Sequence, residues 1–254
     1  MIIGLRFQGA IGDLILASCF FKKILNQYKN CKFKVIFNYG GGKDRINVLY
    51  NLLPKEIKDN IIEWTIENRY CVRPITLPEK RFFYDCHNWF DFWYQNMHDK
   101  FNNKLIPNPE DKPFLDVEIS NEKKYKLGIF RYTNWHIHLN TNRNLDNNTW
   151  YSILKNVWNN DKICLLGQHD PYEFSNKWNV FVDTLNLKET LKKVTECEYF
   201  IGCVSGITFF SQFYCKKSYW ITHSERISEH KKWWIIRPNI VTLLYTNKRY
   251  NVPR

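Results

Sequence analysis

The stretch Ile2-Ile3-Gly4-Leu5-Arg6-Phe7-Gln8-Gly9-Ala10-Ile11-Gly12-Asp13 decides how this chain is read. A short apolar run breaks at two glycines, and an acid then opens a new segment. From Leu14 onward apolar residues recur at Ala17, Phe21, Ile24, Leu25 and Tyr28, the spacing of one helix face. The pattern is strand, Gly-containing loop, helix, with Asp13 at the helix entrance. A carboxylate there suits the positive end of the helix dipole and the capping of free amides. It also stands at the carboxyl end of a first strand, where α/β proteins place their ligands. Taken by itself, Asp13 reads more simply as a cap than as a catalyst.

Working outward, 254 residues make one large domain or two modest ones, since domains run roughly 100–200 residues. Hydrophobic residues at 44% and aromatics at 17% supply a substantial core and argue against disorder. The formal charge of +12 favours anionic partners: nucleic acid, an anionic membrane surface or a phosphorylated small molecule. The basic residues are scattered in pairs such as Lys22-Lys23, Lys123-Lys124, Lys192-Lys193 and Lys216-Lys217, so a solvated surface is preferred over a nucleic-acid stripe. The 8 cysteines show no CxxC, and Cys19 and Cys164 lie in apolar stretches where a thiol behaves as a small hydrophobe. No signal peptide and no apolar run of about 20 residues is read, which together point to a reducing cytoplasmic compartment.

The first half alternates strands and helices: a strand over 32–37, a helix over 44–53 stopping at Pro54, and strands over 61–66 and 81–84. An aromatic-rich helix is predicted over 87–101. The polar, proline-rich stretch Pro107-Asn108-Pro109-Glu110-Asp111-Lys112-Pro113 is the best linker, and a second α/β unit restarts with a strand over 126–131. A helix over 149–158, a strand over 162–166, a short helix bearing Leu187, Leu191 and Val194, and a strand over 199–204 follow. A helix from Ile207 toward Tyr214 and a strand at 219–221 complete the series. Alternation of this kind predicts parallel sheets in both halves, with a cleft between them as the default ligand site. Small residues at Ser205-Gly206-Ile207-Thr208 open a helix after a buried strand, an arrangement suited to a phosphate. It matches neither a Walker loop nor GxGxxG, so nucleotide hydrolysis and dinucleotide binding lose support.

Several motifs in order resemble glycosyltransferase family 9, the heptosyltransferases. They are Gly12-Asp13 after strand one, Arg143 and Trp150 before a helix, Leu165-Leu166-Gly167, and Ile201-Gly202 through Ser205-Gly206. The stretch 200–221, with Ile221-Thr222-His223-Ser224, is most similar to the branch that heptosylates autotransporters. The resemblance implies a GT-B fold, two Rossmann-like domains facing across a cleft. It assigns 1–106 as the acceptor-side domain, 107–125 as linker and 126–254 as the nucleotide-sugar-binding domain. It implies Asp13 as general base, taking the proton from an acceptor hydroxyl that attacks the anomeric carbon. Gly12, Arg143, Ser205, Gly206, Ile207 and Thr208 are the implied donor-binding residues, Arg143 standing where the family usually has a lysine. No metal and no cofactor is implied beyond a nucleotide-diphosphate sugar as co-substrate. The implied reaction is inverting, and the acceptor a glycan, glycolipid or protein, which admits peripheral association with a membrane.

Departures bear on sugar and base specificity: Val204 where the family often has an acid, Phe209 where it often has a histidine, and a short first domain. The alternatives are transfer of fucose or xylose from a GDP or UDP donor, or a non-catalytic basic protein binding nucleic acid or glycan. His136 and His138 form an isolated HxH, and Asp116 and Glu118 an acidic pair beside the linker; neither carries the weight of the ordered motifs.

Overall fold

The computed structural model describes residues 2–8, 11–19, 21–38, 43–67, 82–85, 111–131, 148–150, 152, 162–166, 180–183, 186–223 and 237–246. The chain divides into two compact units, Met1–Asp116 with Lys232–Trp234, and Val117–Lys231 with Ile235–Arg254. The division between Asp116 and Val117 lies three residues past the proline-rich stretch that ends at Pro113, within the segment 107–125.

The first unit is built on β1 (Ile2–Gln8), β2 (Lys32–Asn38), β3 (Ile61–Glu67) and β4 (Phe82–Asp85), in the order β3-β2-β1-β4. All three pairings are parallel, as alternating strands and helices require. Helix α1 (Ile11–Ser18) follows β1, α2 (Phe21–Gln27) precedes β2, and α3 (Lys43–Leu52) and α4 (Lys55–Lys58) lead into β3. The single apolar stripe from Leu14 to Tyr28 is therefore two helices, interrupted after Ser18. The Ser18 hydroxyl donates to the Ile15 carbonyl at 2.7 Å, a local bond that competes with helix continuation. The Ser18 carbonyl accepts from the Phe114 amide at 3.2 Å, so that acceptor is used by a distant segment. Leu14, Ile15, Phe21, Ile24, Phe33 and Val35 are buried.

Residues 111–116 are held against this unit. Asp111 is ion-paired with Lys23, the Lys22 ammonium lies 5.0 Å from the centre of the Phe114 ring, and the Asp116 amide donates to the Leu52 carbonyl at 2.9 Å. Asp116 also meets Lys58 at 3.4 Å. From Val117 the chain is held by the second unit. Glu118 pairs with Lys192 at 2.6 Å and the Ser120 amide donates to the Thr195 hydroxyl at 2.9 Å. The acidic pair Asp116 and Glu118 thus ties down the segment on either side of the division.

The second unit carries β5 (Tyr125–Phe130), β6 (Ile163–Leu166), β7 (Val180–Asp183), β8 (Cys197–Cys203), β9 (Lys217–His223) and β10 (Val241–Thr246). They form one six-stranded sheet, β10-β9-β8-β5-β6-β7, parallel at every pairing. In chain order this is the doubly wound arrangement of dinucleotide-binding folds, third-second-first-fourth-fifth-sixth. Strands β7 and β10 extend the sheet beyond the strands read from sequence. Helix α5 (Leu187–Thr195) is capped by Asn186, whose side chain accepts from the Glu189 amide at 3.1 Å. It buries Leu191 and Val194. Helix α6 (Gly206–Ser211) begins where expected and ends sooner.

Both sheet faces are covered, which is why the strands read as continuous apolar runs. Leu127, Ile129, Ile163, Leu165, Ile201, Cys203 and Ile221 gather with Trp150 in one cluster. Elsewhere in this unit the α6 residue Phe209 lies 5.3 Å from Trp220, so the Phe209-Phe210 pair is core. The Phe200 ring sits where Gly128 and Gly202 lack side chains. A Cβ at Gly128 would come within 3.2 Å of that ring, and one at Gly202 within 3.1 Å of it and 2.9 Å of the Phe130 carbonyl oxygen. Close approach, and not unusual backbone angles, is what requires glycine at both positions.

Candidate active site

In an open parallel sheet the crevice for a ligand opens outside the carboxyl ends of the strands, where strand order reverses. The first unit reverses between β1 and β4, and the residues beyond β1 are the opening sequence motif. Gly12 is buried, and Asp13 lies in the first turn of α1. Because the helix begins at Ile11, Asp13 is inside it and not at the cap position that precedes it. In that first turn an acid still suits the positive end of the helix dipole.

The second unit reverses between β5 and β8. Beyond β8, Ser205 is extended (φ −159°, ψ 175°), and its hydroxyl oxygen accepts from the Thr208 amide at 3.3 Å. The Thr208 hydroxyl donates to the Cys203 carbonyl at 2.6 Å and lies 3.0 Å from the Ser205 hydroxyl. Having given its proton to Cys203, Thr208 can only accept from Ser205. Thr208 is fully buried and works inside the turn, whereas Ser205 and Gly206 are half-buried at its rim. The amides of Gly206 and Ile207 are among the first of the helix and have no acceptor within it.

Beyond β5 stands Arg131, which the motif reading did not single out. Its side chain is only 1% exposed, and its carbonyl accepts from the Cys203 thiol at 3.1 Å. A charged residue directly after the apolar run Leu127–Phe130 is the signal that would have marked it. Trp150 is buried in the core cluster, its indole N–H without a hydrogen-bond partner among the described residues. Arg143, His136, His138, His230 and the aromatic stretch 87–101 lie outside the described residues.

The amino ends of β5 and β8 are different. Burial raises the Glu196 carboxyl, but hydrogen bonds from Lys193 (2.9 Å) and Lys124 (3.0 Å) outweigh it and hold it below the usual carboxylate range. Glu198 is held low by hydrogen bonds from Lys216 and Lys126, at 2.7 and 3.0 Å. Lys123 donates to the carbonyls of Thr195 (2.6 Å) and Tyr214 (2.8 Å). The buried thiols are inert: burial pushes Cys215 up to about 12, and a hydrogen bond with Cys164, then burial, raises Cys197. The six described cysteines are all free and buried. Among the described residues no group of three or more His, Cys, Asp and Glu is placed to hold a metal, and no helix is long and apolar enough to cross a membrane.

Two all-parallel α/β units, the second in full doubly wound order, define the fold class. No family model and no curated protein matches the sequence. Among solved structures, the chain is similar to the E. coli heptosyltransferase WaaC with ADP, with a TM-score of 0.57 and 9% identity over 96% of this chain and 91% of that one. The E. coli ADP-heptose lps heptosyltransferase II gives 0.55 and 12%, over 96% and 90%. The glycosyl transferase family 9 protein from Veillonella parvula gives 0.54 and 11%, over 96% and 86%. At such identities the chain shares their fold, and it does so along nearly its whole length.

Proposed function

We propose that this protein is a glycosyltransferase that moves a sugar from a nucleotide-diphosphate donor to an acceptor hydroxyl. The observation that carries the reading is positional. Gly12-Asp13 and Ser205-Gly206, picked from sequence for a base and a phosphate site, each fall just beyond the strand that borders its own sheet's point of reversal. In this reading Asp13 takes the acceptor proton, and the reaction is metal-independent and inverting. The Gly206 and Ile207 amides meet the donor diphosphate with Arg143, while Ser205 and Thr208, bonded to each other, shape the turn. Gly12, in the first turn of α1, leaves room for a close approach there. The fold of heptosyltransferases supports an ADP-heptose-like donor first. Nearness to the autotransporter branch rests on the sequence over 200–224 alone. A basic nucleic-acid binder would want its lysines on offer, whereas Lys124, Lys126, Lys193 and Lys216 are paired with carboxylates.

Thermal denaturation with ADP-, GDP-, UDP- and CDP-sugars tests the reading, because a ligand of the folded state raises the melting temperature. One base is expected to stabilise the protein. If none does, the transferase assignment falls. With the donor in hand, Asp13→Asn is expected to lower turnover about 10²–10⁴-fold, the usual worth of a general base, with donor affinity retained.

A further inference from the structure

We propose that Ser218 and Trp220 of β9 position the Gly206 and Ile207 amides for the donor diphosphate, through a buried relay of hydrogen bonds that ends on Thr208. The inference rests on the transferase reading and adds to it two positioning residues that touch no substrate. Helix α6 has only 6 residues, and a helix that short is not stable by itself in water. The direction of its first amides is therefore set by what grips it from the sheet. The Ser211 hydroxyl donates to the Thr208 carbonyl at 2.7 Å. Having spent its one proton there, Ser211 can only accept in its close contact with Ser218, so Ser218 donates. The Ser218 oxygen accepts in turn from the Trp220 indole N–H at 2.7 Å. The relay thus runs one way, from Trp220 through Ser218 and Ser211 to Thr208. All four residues are fully buried, so water competes for none of these bonds.

Thr208 is held from a second strand as well. Its hydroxyl donates to the Cys203 carbonyl at the end of β8, and its amide is capped by Ser205. One residue of α6 is therefore pinned to β8 by its side chain and to β9 through its carbonyl, directly after the two amides in question. Anchors on two neighbouring strands fix the rotation of a short helix, where a single anchor would leave it free to pivot. Removing the Ser218 hydroxyl breaks the β9 anchor and strands the Trp220 N–H without an acceptor.

The test measures affinities of ADP, GDP, UDP and CDP, and of their parent nucleosides, for the wild-type protein, Ser218→Ala, Trp220→Phe and Ile163→Ala. For whichever base the wild type prefers, Ser218→Ala is expected to lose about tenfold in diphosphate affinity, the scale of one buried hydrogen bond, with nucleoside affinity unchanged. Trp220→Phe keeps an aromatic ring beside Phe209 and both hydroxyls, and is expected to lose about threefold, again in diphosphate alone. Ile163→Ala opens a cavity in a strand that the relay does not touch, and is expected to lower the melting temperature with diphosphate affinity kept. A loss that nucleoside binding shares, or that Ile163→Ala reproduces, makes the relay an element of stability alone and overturns the inference. A folded Ser218→Ala protein with wild-type diphosphate affinity overturns it too. If Ser218→Ala does not fold, Trp220→Phe decides by the same two readouts, and if neither folds the inference is equally overturned. If the wild type binds no nucleoside diphosphate, it is the transferase reading itself that fails.

Discussion

At the amino ends of β5 and β8 two carboxylates, Glu196 and Glu198, are each met by two lysines, and Lys123 closes two carbonyls beside them. At the carboxyl ends of the same strands stand Arg131, Ser205 and Gly206, with no carboxylate in the flanking segments. One end is an electrostatically closed staple, its charges matched within the protein. The other presents the Gly206 and Ile207 amides, which the helix itself cannot satisfy. The contrast teaches where part of the +12 excess goes: the lysines at the closed end are committed to structure, and the end at which doubly wound sheets bind ligands is the one with free helix amides.

The contrast can be broken from the closed end. Glu196→Gln removes the charge that meets two lysines, and one of its two acceptor oxygens, from a side chain that is 1% exposed, and is expected to cost about 3 kcal/mol in chemical denaturation. That figure sits at the lower end for buried pairs because Lys124 is half exposed. The same residue sets an acid limb. Its folded-state carboxyl titrates below the unfolded value, so its contribution is complete above that value, about pH 4.3, and is lost as pH falls through the depressed folded one. The Glu196→Gln protein is expected to show a flatter loss of stability between neutral and acid pH; an unchanged acid limb would mean the staple is cosmetic.

Between the two ends, Gly202→Ala drives a Cβ to 2.9 Å from the Phe130 carbonyl oxygen and against the Phe200 ring. Backbone cannot yield as a flexible side chain can, so a loss of about 2 kcal/mol is expected, read as a lowered melting temperature. The smallest effect belongs to the open end. Ser205→Ala removes the cap of α6 and is expected to cost about 1 kcal/mol. In the transferase reading it also weakens diphosphate binding, whereas Glu196→Gln leaves that binding intact in the folded protein. Equal binding losses from the two substitutions would erase the functional difference between the ends.

Much of this was legible in the residues. The apolar runs in 162–166 and 199–204 announced buried parallel strands because a sheet covered on both faces tolerates little polar alternation. The Ser205-Gly206 turn was visible because a hydroxyl cap followed by glycine is a local device. The break after Ser18 was not, since it depends partly on the Phe114 amide reaching a carbonyl far away in sequence. Strand β10, with its β-branched and aromatic residues at 241–246, carried a strand composition that the sequence reading passed over; only its place beside β9 needed the structure.

By itself, then, the sequence determined the alternation of elements, the parallel sheets and the glycine and hydroxyl turns. These are set by local periodicity and by residue chemistry within a few positions. Tertiary structure alone decided the strand order, and with it which two strand ends border each point of reversal. It put Asp13 inside α1, turned Thr208 inward, matched Glu196 and Glu198 with their lysines, and brought Arg131 beside Cys203. The strand order, the pairing of Glu196 with Lys124 and of Glu198 with Lys126, and the approach of Arg131 to Cys203 depend on segments distant in the chain, which is energy that no local pattern records.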